Sequence, residues 1–302
     1  MKHPLLYELD TRCWLRELSD QRGAQVTLAD VPLEEFSRWQ ELSVSHLWLM
    51  GVWPTGPRSR TEALNSSQLR AACDAALPGG KPEDIAGSPY AVAEYRVAPD
   101  LGGEGGLKKF RRHLRDHGVK LILDFIPNHV GLDHPWVSAQ PELFVQSPSQ
   151  TAGTFKQQTA KGQLALAHGR DPYFPPWTDT VQLDHRRPDT RNAMLGELDS
   201  VARQCDGVRC DMAMLVLNEV FTQTWAGFPG EIAPATEFWA DAIGNVKQHR
   251  REFLFLGEVY WDMEARLQAL GFDYTYDKRL YDALCDRRPA DVQRHLLDTP
   301  PG

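Results

Sequence analysis

Three segments of the chain end an apolar run with groups that can carry charge or move protons. They read Leu123-Asp124-Phe125-Ile126-Pro127-Asn128-His129-Val130, Gly207-Val208-Arg209-Cys210-Asp211-Met212 and Phe255-Leu256-Gly257-Glu258-Val259-Tyr260-Trp261. If each run is a strand, side chains two apart share a face, so Arg209 and Asp211 lie side by side. A neighbouring guanidinium favours an ionised carboxylate, whereas apolar and aromatic neighbours, as around Glu258, raise a carboxyl pKa. One carboxyl kept charged and one kept protonated, about 5–5.5 Å apart, is what cleavage of an acetal with retention requires. Each group alone has a plainer reading. Arg209–Asp211 fits a structural ion pair, His129 a hydrogen-bonded core histidine and Asn128 a turn residue. Glu258 fits a salt bridge to a neighbouring strand, and Tyr260 and Trp261 fit packing. Their conjunction at one level of three consecutive strands is what points to a site.

The elements that must position these groups follow from the apolar pattern. Strand-like runs occur at Leu5–Leu9, His46–Met50, Val119–Ile126, Gly207–Met212, Phe253–Val259 and Phe272–Tyr276. Helical faces lie between them: Leu107, Phe110 and Leu114; Met194, Leu195, Leu198, Val201 and Ala202; Phe238, Trp239, Ala242, Ile243 and Val246. Strand alternating with helix implies parallel pairing through crossover helices, hence an α/β class. Near-continuous apolar strands are those covered on both faces. Six βα units are countable, with a sixth helix around Asp291–Leu297. Two long connections, 51–106 and 131–180, both follow strands and precede helices, which places them on the C-terminal face of a parallel barrel. The expected architecture is a TIM-type (β/α)8 barrel, incomplete, formed by 1–130 and 181–302, with 131–180 as a short insert.

The chain has 302 residues, 33 Lys plus Arg against 41 Asp plus Glu, and a net charge of −8. That balance argues against a general nucleic-acid surface or an anionic-membrane anchor. No apolar run is long enough to span a bilayer, and the N-terminus lacks the features of a signal peptide. Five cysteines without CxxC spacing indicate neither a disulfide framework nor a zinc site, so a reducing cytoplasm is the expected location. No GxGxxG follows a strand, which removes a Rossmann-type nucleotide enzyme.

Taken together, these motifs resemble the α-amylase superfamily, glycoside hydrolase family 13. Asp124–Val130 looks like its first signature region, Gly207–Asp211 its second and Gly257–Val259 its third. Ser88–Tyr95, followed by Asp100-Leu101-Gly102-Gly103, is similar to the segment after the second strand, and Leu183-Asp184 to the short region closing the insert. The resemblance implies a retaining hydrolase or transglycosylase on α-glucosidic bonds. Asp211 would be the nucleophile, Glu258 the acid/base and Arg209 the group that orients and ionises Asp211. It also implies that Tyr90 stacks on the sugar, His129 binds its hydroxyls and Asp124 braces Arg209; Trp261, an aromatic three residues after Glu258, is a further substrate-binding candidate on its residue type alone. An oligosaccharide or α-glucoside is the implied partner, with no nucleic acid, no membrane and an open oligomeric state.

Departures from the family pattern carry expectations of their own. The family's fourth region is a His-Asp pair after the seventh strand, and no histidine here precedes an aspartate. The chain closes on Thr299-Pro300-Pro301-Gly302 after six units, so the expectation is a C-terminally truncated member with little activity in the 302-residue form. The alternative is a non-catalytic relative that binds sugar or serves as a scaffold. No cofactor is required; Asn128 matches a calcium ligand, but Met214 and Leu215 stand where many amylases carry Lys-His. The aromatic run Tyr173-Phe174-Pro175-Pro176-Trp177 either walls a sugar site or packs the insert.

Overall fold

The computed structural model describes residues 4–232 and 234–298; the closing Thr299–Gly302 lies outside them. Six parallel strands form one sheet in chain order: β1 (Leu6–Asp10), β2 (His46–Met50), β3 (Lys120–Phe125), β4 (Gly207–Cys210), β5 (Leu254–Gly257) and β6 (Tyr274–Thr275). The sheet curls. The Arg209 guanidinium on β4 lies 5.1 Å from the Trp48 ring on β2 and 5.5 Å from the Tyr276 ring just past β6. In a flat sheet β2 and β6 would be about 19 Å apart, four spacings of about 4.8 Å. The fold is thus an incomplete (β/α)8 barrel, with β1 and β6 unpaired to one another among the described residues.

Helices cover the outside as the apolar periodicity dictates. α1 (Thr11–Arg22) starts where the Asp10 carboxylate accepts the Cys13 N–H at 2.9 Å. It packs against α2 (Leu33–Glu41) and α3 (Gly103–Asp116) through Trp14, Phe36, Trp39 and Phe110, whose rings meet edge-on or tilted. In α3 the predicted face Leu107, Phe110 and Leu114 is buried. α4 (Pro188–Gln204) buries Met194, Leu198, Val201 and Ala202 and leaves Leu195 half-buried. α5 (Phe238–His249) buries its whole predicted stripe. The sixth unit carries two helices, α6 (Lys278–Cys285) and α7 (Pro289–Asp298), and α7 buries no residue.

The long connection 51–106 carries helical structure of its own. It holds helices at Pro57–Asn65 and Ser67–Ala76, the second capped by Ser66. The first buries only Ser59 and Ala63, so no apolar stripe announces it. After β3, His129–Gly131 pairs antiparallel with Thr180–Gln182, and the segment between folds as a small antiparallel sheet, Gln146–Ser147, Gly162–Ala167 and Thr154–Thr159.

Three histidines, His129, His134 and His185, are buried near the two ends of this segment, and burial pulls each down to about 4. His134 Nδ1 accepts the Trp136 N–H that starts the helix Pro135–Ala139, a role only the neutral ring can fill. In the unfolded chain these rings protonate near 6.5. Between pH 6.5 and 4 the unfolded state therefore takes up protons that the folded state refuses, and each ring costs up to about 1.4 kcal/mol per pH unit. Glu8, Asp124, Asp179, Glu197 and Glu258, held above the usual carboxylate range by burial, act in the opposite sense, while His46 and His168, also pulled down by burial, add to the three rings. The melting temperature is expected to fall as pH drops from 6.5 to 4, and His134→Gln should flatten that slope. A melting temperature that rises across the same window would contradict this assignment.

Candidate active site

Register explains why the chemistry converges. Asp124 on β3 lies directly opposite Arg209 on β4, and Arg209 opposite Leu256 on β5. Two residues on, Asp211 and Glu258 therefore share the face of Arg209 and point to the barrel axis. Arg209 Nη1 donates to Asp211 Oδ1 at 2.7 Å, and Nη2 pairs with Glu258 Oε2 at 2.8 Å. Its Nε donates to the Tyr276 hydroxyl at 3.1 Å. Burial works against the Arg209 charge, but Asp211, Glu258, Tyr276 and Asp124 outweigh it and raise its pKa.

Glu258 is held by three donors: Arg209, the Met212 N–H to Oε2 at 2.8 Å, and the Tyr260 hydroxyl to Oε1 at 2.6 Å. Met212 adopts φ +42°, a conformation that a side chain disfavours and that presents its N–H to Glu258. Burial and the Asp211 charge still raise the Glu258 pKa, against the pull of Arg209, Tyr260 and Met212. Tyr260 thus favours the ionised form, so Tyr260→Phe should move the high-pH limb of kcat/KM upward and lower the maximum by about tenfold. A pH profile identical to that of the wild type would show the bond to be incidental.

Asp124 sits deeper. Its oxygens accept from Trp48 Nε1 at 3.1 Å and the Gly51 N–H at 3.0 Å, while Arg209 Nη1 stands 4.0 Å away. The bracing of Arg209 expected from the sequence is therefore a charge contact at the outer limit of an ion pair, not a short hydrogen bond. Burial pushes Asp124 up to about 7 despite Arg209. Gly51 has φ +76°, and a Cβ there would approach Pro89 Cβ to 3.0 Å. Tyr95 pins the turn after β3: its hydroxyl donates to the Ile126 carbonyl at 3.0 Å and accepts the Ile126 N–H at 2.9 Å.

The remaining candidates surround this centre. Tyr90 is half-buried, its ring 5.1 Å from the Arg209 guanidinium and its hydroxyl donating to Met50 Sδ. His129 is 3% exposed, its ring tilted against Trp177 at 5.1 Å, so a sugar reaching it meets Trp177 as well. Trp261, at φ +62°, meets Tyr173 edge-on at 4.9 Å. Tyr173 and Phe174 are 68% and 69% exposed, so the aromatic run both packs inward through Trp177 and presents rings outward beside Trp261. Trp48, Tyr276 and the Met212 amide were not singled out from the sequence. Strand alternation carries a signal for Trp48, two residues before Met50 on one face; the other two depend on the curl and on backbone conformation.

Calcium would need six to eight oxygen ligands. Asn128 Oδ1 instead accepts from Gln182 Nε2 at 2.9 Å, and Asn128 Nδ2 returns a bond to Gln182 Oε1 at 3.2 Å. The Asp184 carboxylate is taken by Arg186 through both oxygens, and Leu215 lies in the core. Among the described residues no group of three or more His, Cys, Asp or Glu side chains is disposed to hold a metal. These residues do not fit a calcium cage.

Comparison with known proteins gives a consistent picture. A family model described as the alpha amylase catalytic domain matches residues 81–280. Alpha-amylase MalA of Haloarcula japonica is 25% identical over 193 residues, 63% of this chain and 24% of that protein. An alpha-1,4-glucan:maltose-1-phosphate maltosyltransferase of Myxococcus xanthus is 25% identical over 244 residues, 78% of this chain and 30% of that protein. The chain thus spans about a quarter to a third of these relatives' length. Among solved structures, an alpha-amylase from Lactobacillus plantarum superposes with a TM-score of 0.65 at 22% identity, covering 97% of this chain and 57% of its own. One from H. orenii gives 0.64 at 19% identity, covering 97% and 56%. At such identities the structural likeness speaks to the fold.

Proposed function

This chain belongs to the alpha-amylase family, and from that premise we propose that it cleaves or transfers α-glucosidic bonds with retention of configuration. The observation that carries the reading is the Arg209 fork, one guanidinium holding Asp211 at 2.7 Å and Glu258 at 2.8 Å. Arg209 occupies Asp211 Oδ1 and leaves Oδ2 for attack. In the first step Asp211 bonds to the anomeric carbon while Glu258 gives its proton to the departing glycosidic oxygen. In the second, Glu258 takes a proton from water or an acceptor hydroxyl, which displaces Asp211 from the same carbon. Arg209 keeps its charge throughout and offsets the carboxylate charge that changes hands. Tyr90, Trp177 and Trp261 supply the faces on which a sugar ring stacks, with His129 as hydroxyl donor.

Carbohydrate is the partner this site fits. Among the described residues no helix is long and apolar enough to cross a membrane. All five cysteines are free, with Cys205 and Cys210 buried, which supports a reducing compartment such as the cytoplasm. The test is an assay of the full gene product on maltose, trehalose, sucrose and an aryl α-glucoside, with anomeric configuration followed by NMR. Release of the α-anomer first supports the proposal; release of the β-anomer, or no turnover of any α-glucoside, overturns it.

A further inference from the structure

We propose that the groove between α3 and α4, on the outside of the barrel, binds an anion carrying several phosphates. The groove encloses about 1050 Å³ and is lined by Lys108, Arg111, Arg112 and Arg115 of α3, by Arg203 of α4 and by Lys120 at the start of β3. It runs along the outer side of α3 down to Lys120 at the N-terminal start of β3, four residues or about 13 Å along the strand from Asp124, with the barrel wall between it and the site. It is therefore separate from the glycosidic site and does not depend on that reading.

Seven cations line the groove against two carboxylates, Glu104 and Asp206, and four of the seven have internal partners; Lys109 donates to the Ala29 carbonyl. Arg111 pairs with Asp206, Arg203 with Asp199, and Lys120 with Glu252. Lys108, Arg112 and Arg115 are exposed and have no acidic partner among the described residues. They fall at i, i+4 and i+7, one stripe of α3 spanning about 10 Å. Like charges at these spacings repel and weaken the helix. The favourable pull of the α3 C-terminus reaches Arg115 but not Lys108, two turns earlier. In a chain with 41 acidic residues and a net charge of −8, this uncompensated cluster is a local positive field.

The lining selects the anion. It carries no aromatic ring, so neither a nucleobase nor a sugar has a face to stack on. Its apolar members, Leu107 and Val119, are buried beneath the cations, so a protein partner finds no anchor. Arg112 and Arg115 present planar forks that match phosphate oxygens, and Ser200 and Gln204 on α4 add neutral donors.

The experiment is calorimetric titration of inorganic tripolyphosphate into the full gene product at about 0.05 M salt and again at about 0.5 M. Saturable binding that weakens with salt is expected. The triple variant Lys108→Gln/Arg112→Gln/Arg115→Gln should bind at least about tenfold more weakly, whereas Arg38→Gln/Arg70→Gln/Lys156→Gln, equal in charge removed, should stay within about twofold. Arg112→Lys/Arg115→Lys keeps the charge and the helix but loses the forks, and should bind several-fold more weakly with unchanged circular dichroism. The proposal is overturned by no binding to the wild type, by equal losses in the two triple variants, by wild-type affinity in the double lysine variant, or by tighter binding of single-stranded RNA or a polyglutamate peptide of equal charge.

Discussion

Replacing Asp211 by Asn in the full gene product is expected to lower hydrolysis of an aryl α-glucoside by at least about 10³-fold, with little change in stability. An amide of the same shape still fits against Arg209 Nη1, which donates to Oδ1 at 2.7 Å, so the fold has little reason to change. What is lost is the negative charge that bonds to the anomeric carbon. The geometry leaves no substitute: Glu258 is engaged by three donors, and Asp124 is buried behind Trp48 and Gly51. The loss should fall on kcat more than on KM, because the charge acts where the oxocarbenium-like state forms. Turnover within about tenfold of the wild type would remove Asp211 from the nucleophile's position.

Glu258→Gln should be nearly as costly on maltose, and on a substrate with an activated leaving group it should largely spare kcat/KM while kcat still falls. Its two duties separate there. A good leaving group departs without a proton, so the first step survives, while the second still needs a base for water. Azide, which needs no base, should restore turnover of the activated substrate and none of maltose. The pH profile gives an independent sign. Burial and Asp211 hold Glu258 above the usual carboxylate range, so its acid form persists to higher pH and its ionisation produces the high-pH limb. That limb should vanish in Glu258→Gln. Equal losses on both substrates with no azide rescue would make Glu258 a structural partner of Arg209 and not the acid/base.

The parts of the molecule that show in the sequence are those fixed by local periodicity. β2 runs from His46 to Met50 as the apolar run does, and the other strands shift or shorten by a few residues at most, because strands covered on both faces read as unbroken apolar runs. Arg209 and Asp211 share a face by alternation alone. Glu258 stands out as a carboxylate among Gly257, Val259 and Tyr260. The helix Pro57–Asn65 was hidden because its buried residues, Ser59 and Ala63, form no stripe. The strand Thr154–Thr159 reads Thr-Phe-Lys-Gln-Gln-Thr and was hidden for the same reason: it is largely polar. Tyr276 joins the site only because the sheet curls, and the Met212 amide only because its φ is positive. Both are consequences of tertiary structure that no window of sequence contains.

The central claim, a covalent double displacement through Asp211, meets its most direct test in trapping. In 5-fluoro-α-glucosyl fluoride the ring fluorine slows both steps while the fluoride leaving group keeps the first one fast, so on incubation with the full gene product the glycosyl-enzyme should accumulate. Intact mass spectrometry is expected to show the addition of one fluoroglucosyl group, and digestion to map it to the peptide containing Gly207–Asp211, with no label in Asp211→Asn. A label on another carboxylate, or turnover of the reagent with release of the β-anomer and no adduct, would contradict the account.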